Sequence, residues 1–254
     1  MTLIVKPVVL VKYLAVTITC FSTAHFVSQY LNHVAGYTHQ WGLERQFNLV
    51  NEANIPAWYS AVALLFSALL LTVVAARERQ AGGVDARHWA GLALIFYYLS
   101  LDEAAQIREM MKVFDGLRPT GVFFYSWILV GGGVVGLLGV LYLGFLTRLP
   151  AATRWVFVLA GSLYVTGALG VEMLESRYHY LTHTWTDLPY GLMVGVEETL
   201  EMSGIALFIY GISSYLARSG GMVRIRFIDD RHQVTPLSSA STSPSVHASD
   251  RSAA

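Results

Sequence analysis

One cysteine in 254 residues rules out an internal disulfide and any Cys-rich scaffold, because Cys20 has no partner within the chain. Charge is scarce as well. Only 13% of residues are Asp, Glu, Lys or Arg, and 17 acids against 17 bases give no net charge, which argues against a nucleic-acid partner. No Gly-X-Y period or long low-complexity core is present, so a fibrous class is excluded. What the chain has in abundance is apolar sequence. At 54% hydrophobic residues and a mean hydropathy of +0.49, it is too apolar for an ordinary soluble domain and reads as a polytopic membrane protein.

Six stretches are long enough to cross a hydrocarbon layer, which takes roughly 20 helical residues. They fall near residues 8–31, 56–77, 89–110, 122–146, 154–176 and 194–217. The expected fold is therefore all-α, a bundle of six transmembrane helices over residues 1–218, followed by a cytoplasmic, mostly disordered tail at 219–254. Within that tail VRIRFID has the alternation of a short strand, and the Ser-rich sequence from Thr235 lacks the apolar content to fold. Span 1 has a basic start but is split by Lys12 and lacks a small-residue cleavage site, so it is read as a retained helix. An even number of spans puts both termini on one side. Arg45, Arg108, Lys112, Arg118 and Arg177 fall on the opposite side and all remaining Lys and Arg on the side of the termini, so the positive-inside rule makes the termini cytoplasmic in a multi-pass inner-membrane protein.

Between spans 1 and 2, WGLERQFNLVNEANIP places Leu43, Phe47 and Val50 at helical spacing, as in a short interfacial helix ended by Pro56. Tyr178, Tyr180, Trp185 and Tyr190 give the last outer loop an interfacial composition too.

The acids are not spread evenly. Span 3 ends in LDEAAQIRE with Asp102, Glu103 and Glu109; span 5 ends in VEMLESRYH with Glu172, Glu175 and His179; span 6 opens with VEETLE, carrying Glu197, Glu198 and Glu201. Alternating chain direction brings these three ends to the same side of the membrane. At about 100° per residue, Asp102 and Glu109 lie within about 20° of each other with Gln106 beside them, and Glu172, Glu175 and His179 within about 60°. Ser22, His25, Gln29 and Asn32 form a further polar stripe on span 1. Eight such acids, ionised and unpaired, would cost on the order of 10 kcal/mol in the outer part of a bilayer, so protons, water or bound cations must offset them.

The bland account is a set of acids facing water, pairing with bases or capping helices, with Glu197 and Glu198 favoured by the dipole of span 6's first turn. Against it stands the convergence of three carboxylate-bearing helices with imidazoles nearby. Asp102, Glu109, Glu172, Glu175, His179, Glu198 and Glu201 are the expected ligands of one or two divalent metal ions, with His25 and His183 as extras. Mixed carboxylate and imidazole donors suit Fe, Mn or Zn. The Glu-x-x-His signature of di-iron bundles is absent, since Glu175 and His179 stand four apart. A lone His25 is more often a hydrogen-bonded core residue, Gly132 and Gly136 at GxxxG spacing read as a helix-packing surface, and Ser100 has no supporting nucleophile geometry.

LSLDEAAQIRE, NEANIPAWYS and VEETLEMSGIALFIYG together resemble a group of uncharacterised bacterial six-span membrane proteins. The resemblance covers spans 2 to 6, implies the six-helix fold and carries no activity; such sequences have His where Arg108 stands here. Similarity to membrane ceramidase-like zinc hydrolases stops at the paired C-terminal-span histidines, whose places are taken by Glu198 and Glu201. The functional expectation is a divalent-metal pocket at the outer membrane face; if the protein is an enzyme, the metal would activate water or oxygen toward a lipid-like substrate. The alternatives are a cation- or proton-coupled transporter, disfavoured by the apolar inner halves of spans 4 to 6, and a noncatalytic assembly factor that pairs its acids with a membrane-protein partner.

Overall fold

The computed structural model describes residues 6–37, 43–51, 53–108, 110 and 120–219. The chain divides into two units, Met1–Met222 and Val223–Ala254, and every described residue belongs to the first. The expected tail beyond Ser219 with its VRIRFID strand, and also Glu52, Glu109, Lys112 and Arg118, lie outside the described residues.

All regular structure among the described residues is helical, in the order α1 Pro7–His33, α2 Leu43–Phe47, α3 Ile55–Gln80, α4 Ala86–Ala105, a 3-10 turn Gly121–Phe123, α5 Trp127–Arg148, α6 Ala151–Val165, a π-helical turn Thr166–Val171, α7 Glu172–Thr182 and α8 Leu188–Arg218. Four helical stretches are long and apolar enough to cross a membrane: α1, α3, α5 and the continuous run Ala151–Thr182. Helices α4 and α8 have the length, at 20 and 31 residues, but interrupt their apolar sequence with acids.

Local chemistry sets the boundaries. Pro at the first positions of α1, α3 and α8 fits where an N–H has no helical partner. Asn54 caps α3 by accepting from Ala57 N–H, and Asp187 caps α8 by accepting from Tyr190 N–H. These caps correct two expectations. Pro56 starts α3 rather than ending a helix; α2 stops at Phe47, and Asn54 is hydrogen-bonded to Asn48 O and Asn51 O. Because α8 begins at Leu188, Glu197 and Glu198 sit well inside the helix, beyond the first turn where its dipole acts.

Helix α8 is the centre of the packing, with α1, α3, α6, α7 and the π turn against it. Glycines permit the closest approaches. A Cβ built on Gly204 would stand 2.8 Å from Ala160 O, and one on Gly167 2.8 Å from Glu197 O. Small residues at helix crossings allow such proximity in a lipid setting. The GxxxG pair on α5 does not serve this purpose: open space surrounds the Cβ positions of Gly132 and Gly136, and Leu137, Val140 and Leu141 beside them are exposed. Helix α5 is instead attached near its ends, by Trp127 to Glu172 and by Phe145 against Trp89.

Candidate functional site

The acid-bearing ends of α4, α7 and α8, the loop before α3 and the stretch before α5 enclose a cavity of about 820 Å³. Its lining includes Asp102, Glu103, Arg108, Glu172, Glu175, His179, Glu197 and Glu198, together with Phe124, Tyr125, Trp127, Tyr180, Trp185 and Tyr190.

The walls are built by local bonding. On the α1 side, His25 is fully buried; Leu49 N–H donates to Nδ1 at 3.1 Å, so Nε2 carries the proton and donates to Gly191 O at 2.8 Å. Both ring nitrogens are used in tying α1, the 48–54 loop and α8 together, which removes His25 from any ligand set. Gln29 donates to Asn48 Oδ1 at 3.1 Å, and Ser22 shares a 2.7 Å hydrogen bond with Thr199. The stripe expected on span 1 is thus an internal seam. Asn54 Nδ2 donates to Asn48 O and Asn51 O, satisfying the loop that carries Leu49, Val50 and Asn51 to the cavity.

On the opposite wall, the π turn adds a residue within one turn and so rotates α7 by about 100° relative to an uninterrupted α-helix. Glu172 and Glu175 come directly after that turn. They are 9% and 2% exposed, and Trp127 Nε1 donates to Glu172 Oε1 at 2.6 Å. Glu197, itself buried, belongs to the same lining as Glu172 and Glu175. Glu172 Oε2 and Glu175 Oε1 are buried and receive no donor. Two carboxylates in contact cannot both ionise cheaply without a proton or cation between them.

Tyrosines join this cluster to His179. The Tyr125 hydroxyl is 3.1 Å from His179 Nδ1 and 3.2 Å from the Tyr190 hydroxyl, and Tyr190 lines the cavity beside Glu175. Ser176 sets Tyr125 in place by accepting from its backbone N–H at 2.9 Å and donating to Gly121 O. Arg108 brings positive charge among the acids, interacting with Glu172, Glu201, Glu103 and Glu197.

The residues expected as metal ligands meet different fates. Glu172, Glu175, His179 and Glu198 line the cavity together. Asp102 lines it too, but its Oδ1 accepts from Arg108 N–H at 2.7 Å and stabilises the end of α4. That helix ends at Ala105, with Gln106 in the left-handed region at φ 54°, so the helical face expected to join Asp102, Gln106 and Glu109 is not formed. Glu109 lies outside the described residues. Glu201 is buried one turn deeper than Glu197, against Gly167, and is not part of the lining. His183 caps α7 in a left-handed conformation and is exposed. Ser100 donates to Ala61 O, a helix-packing role. Among the described residues, no group of three or more His, Cys, Asp and Glu is arranged to hold a metal ion.

Helix-dipole reasoning accounts for Glu197 without a role at the site, and spacing and composition do not single out Tyr125 or Trp127. A signal existed for Glu197: it is four residues from Glu201 and three from Val194, on the face of α8 that turns inward.

Fold and site define an all-helical protein with four membrane-competent helices and an acidic, aromatic-walled cavity. Residues 10–215 match the family model described as Domain of unknown function (DUF8692), and the chain belongs to that family. No curated protein and no solved structure matches the chain.

Proposed function

We propose that this is a six-span, inner-membrane protein with cytoplasmic termini, whose cavity opens at the outer face, binds a divalent metal ion and acts on a lipid-like substrate. In this reading α4 and α8 are the two further spans, their acids sheltered from lipid by the surrounding helices. The excess of Lys and Arg on the side of the termini supports the orientation. A reporter fused to the C terminus is expected to be active only when it is a cytoplasmic one.

The observation that carries the cation reading is the pair of orphan oxygens, Glu172 Oε2 and Glu175 Oε1, on buried side chains that line the cavity. Two carboxylates supply part of a metal shell, and water or substrate completes it where protein ligands are few. Glu198 and His179 belong to the same lining, and Fe, Mn or Zn suits this mixture of oxygen and nitrogen donors. A bound dication would polarise an oxygen of the substrate or of water; the chain's own part is to hold charge and shape in place through Trp127, Tyr125 and Arg108.

Elemental analysis of detergent-purified protein tests the reading. Stoichiometric Fe, Mn or Zn in the wild type, lost in Glu172→Gln and Glu175→Gln, is the expected result. Folded, metal-free wild type that gains none on dialysis against these ions overturns it.

Transport is the weaker reading for a specific reason. Beyond the cavity, Trp89, Phe145, Phe157 and Phe208 belong to one buried apolar cluster with Leu71, Val74 and Ile212, which offers no polar continuation.

A further inference from the structure

We infer that the cavity receives the primary ammonium headgroup of an amphiphile. The inference rests on the reading of the cavity as a cation site facing outward, and names the organic ligand that such a site would take.

Size comes first. A cavity of about 820 Å³ has room for far more than one metal ion with its water, and matches the range of pockets that enclose whole organic molecules. Charge comes second. Among the described residues the lining has six acids, Asp102, Glu103, Glu172, Glu175, Glu197 and Glu198, and one arginine, Arg108. A dication would offset only two negative charges, so an anionic or phosphate-bearing ligand is disfavoured with or without metal.

Hydrogen-bond inventory comes third. Carboxylates accept and cannot donate, and Glu172 Oε2 and Glu175 Oε1 are buried without any donor. A primary ammonium offers three N–H donors on one positive centre; an alcohol offers one and no charge, and a quaternary ammonium none. Two neighbouring donors are engaged already, Trp127 N–H with Glu172 Oε1 and the Tyr125 hydroxyl in the His179 and Tyr190 pairings, and Arg108 is shared among Glu172, Glu201, Glu103 and Glu197.

The rest of the lining fits the remainder of such a molecule. Tyr125, Trp127 and Tyr190 stand beside the carboxylates with their polar tips anchored, and aromatic rings next to carboxylates are a favourable setting for an organic cation. Leu49, Val50, Phe124 and Val194 continue the lining as apolar surface, and Trp185, 56% exposed, belongs to it too. A ligand whose cationic head meets Glu172 and Glu175, in place of a metal ion at those same oxygens, while its hydrocarbon runs along these residues satisfies both parts of the wall.

The test uses the full chain in a nonionic maltoside detergent, with isothermal titration of dodecylammonium, dodecanol, dodecanoate and methylammonium, before and after EDTA treatment, on preparations whose metal content is measured. Dodecylammonium is expected to bind at least about tenfold more tightly than dodecanol or dodecanoate, and Glu175→Gln to remove that preference. Should Glu175→Gln fail to fold, Glu197→Gln gives the same comparison. Equal affinity for the three twelve-carbon compounds overturns the ammonium assignment, as does a preference unchanged in the folded variant. Equal affinity for methylammonium and dodecylammonium overturns the amphiphile and leaves a small free amine. Stoichiometric metal in the purified protein with no ammonium preference after EDTA sinks this inference alone, and ammonium preference in protein that is purified without metal and gains none on dialysis against Fe, Mn or Zn sinks the metal reading alone.

Discussion

The two ends of α8 solve opposite problems. Its first half presents Glu197, Glu198 and Glu201 to a cavity or to Arg108, while its second half places Phe208, Ile212 and Leu216 in an apolar cluster with Trp89, Phe145 and Phe157. At the aromatic end the rings pack closely: Phe208 stacks on Phe96 at 4.4 Å and on Phe157 at 4.5 Å between ring centroids. At the acidic end an open volume is kept, with the Glu172 and Glu175 oxygens lacking donors. Close apolar packing is concentrated in one region and unpartnered polar atoms in the other, and the same helix runs through both.

That contrast can be broken from either side. Trp89→Ala should cost about 4 kcal/mol, because a side chain only 1% exposed leaves a cavity that rigid neighbours cannot fill. Denaturant titration in mixed micelles reads the loss, and cation binding per folded molecule should stay at the wild-type level. Next in size, Arg108→Leu should destabilise by about 3 kcal/mol, since it removes the positive charge interacting with Glu172, Glu201, Glu103 and Glu197. The same titration measures it, and Arg108→Lys should recover part of the loss; an unchanged Arg108→Leu midpoint would show that the acids do not need it.

Gly167→Val should cost about 2 kcal/mol, because even its Cβ would stand 2.8 Å from Glu197 O and Glu201 Cγ. Cation binding should fall with stability here, unlike for Trp89→Ala. Tyr125→Phe should cost about 1 kcal/mol by freeing His179 Nδ1 and the Tyr190 hydroxyl. His179 ring resonances in an NMR spectrum should shift while the melting temperature moves little. The smallest effect belongs to α5: Gly136→Ala meets no neighbour and should leave stability within about 1 kcal/mol, on the stabilising side, through its helix propensity. A large loss there would reveal a packing surface that the structure does not contain.

How far the sequence could be read depended on the kind of interaction. Apolar runs gave the helices to within a few residues where burial in lipid or protein is the only demand, as for residues 8–31 against Pro7–His33. Ends set by single side chains were harder. Asp187 starts α8 six residues before the expected 194, and Gln106 ends α4 five before the expected 110, because a cap or a left-handed residue outweighs the apolar period. Glu172 and Glu175 share a helical face as their spacing predicts, but the direction of that face is set by something absent from periodicity: the π turn before them resets the angle of the whole of α7. His25 reads more readily as a hydrogen-bonded core residue than as a ligand, and its two partners, Gly191 and Leu49, both more than 20 positions away, bear that out.

Composition and spacing by themselves determined that the chain is helical and apolar, and that its acids cluster on three helical segments, since both result from transfer free energy and a period of 3.6 residues. Which acids meet, which are consumed as caps or counter-ions, and which keep oxygens without donors were decided by tertiary structure alone. The reason is that hydrogen bonds act over about 3 Å and depend on rotation as well as order. One extra residue in a turn, or a glycine that lets two backbones touch, moves a carboxylate from lipid or protein into an open cavity.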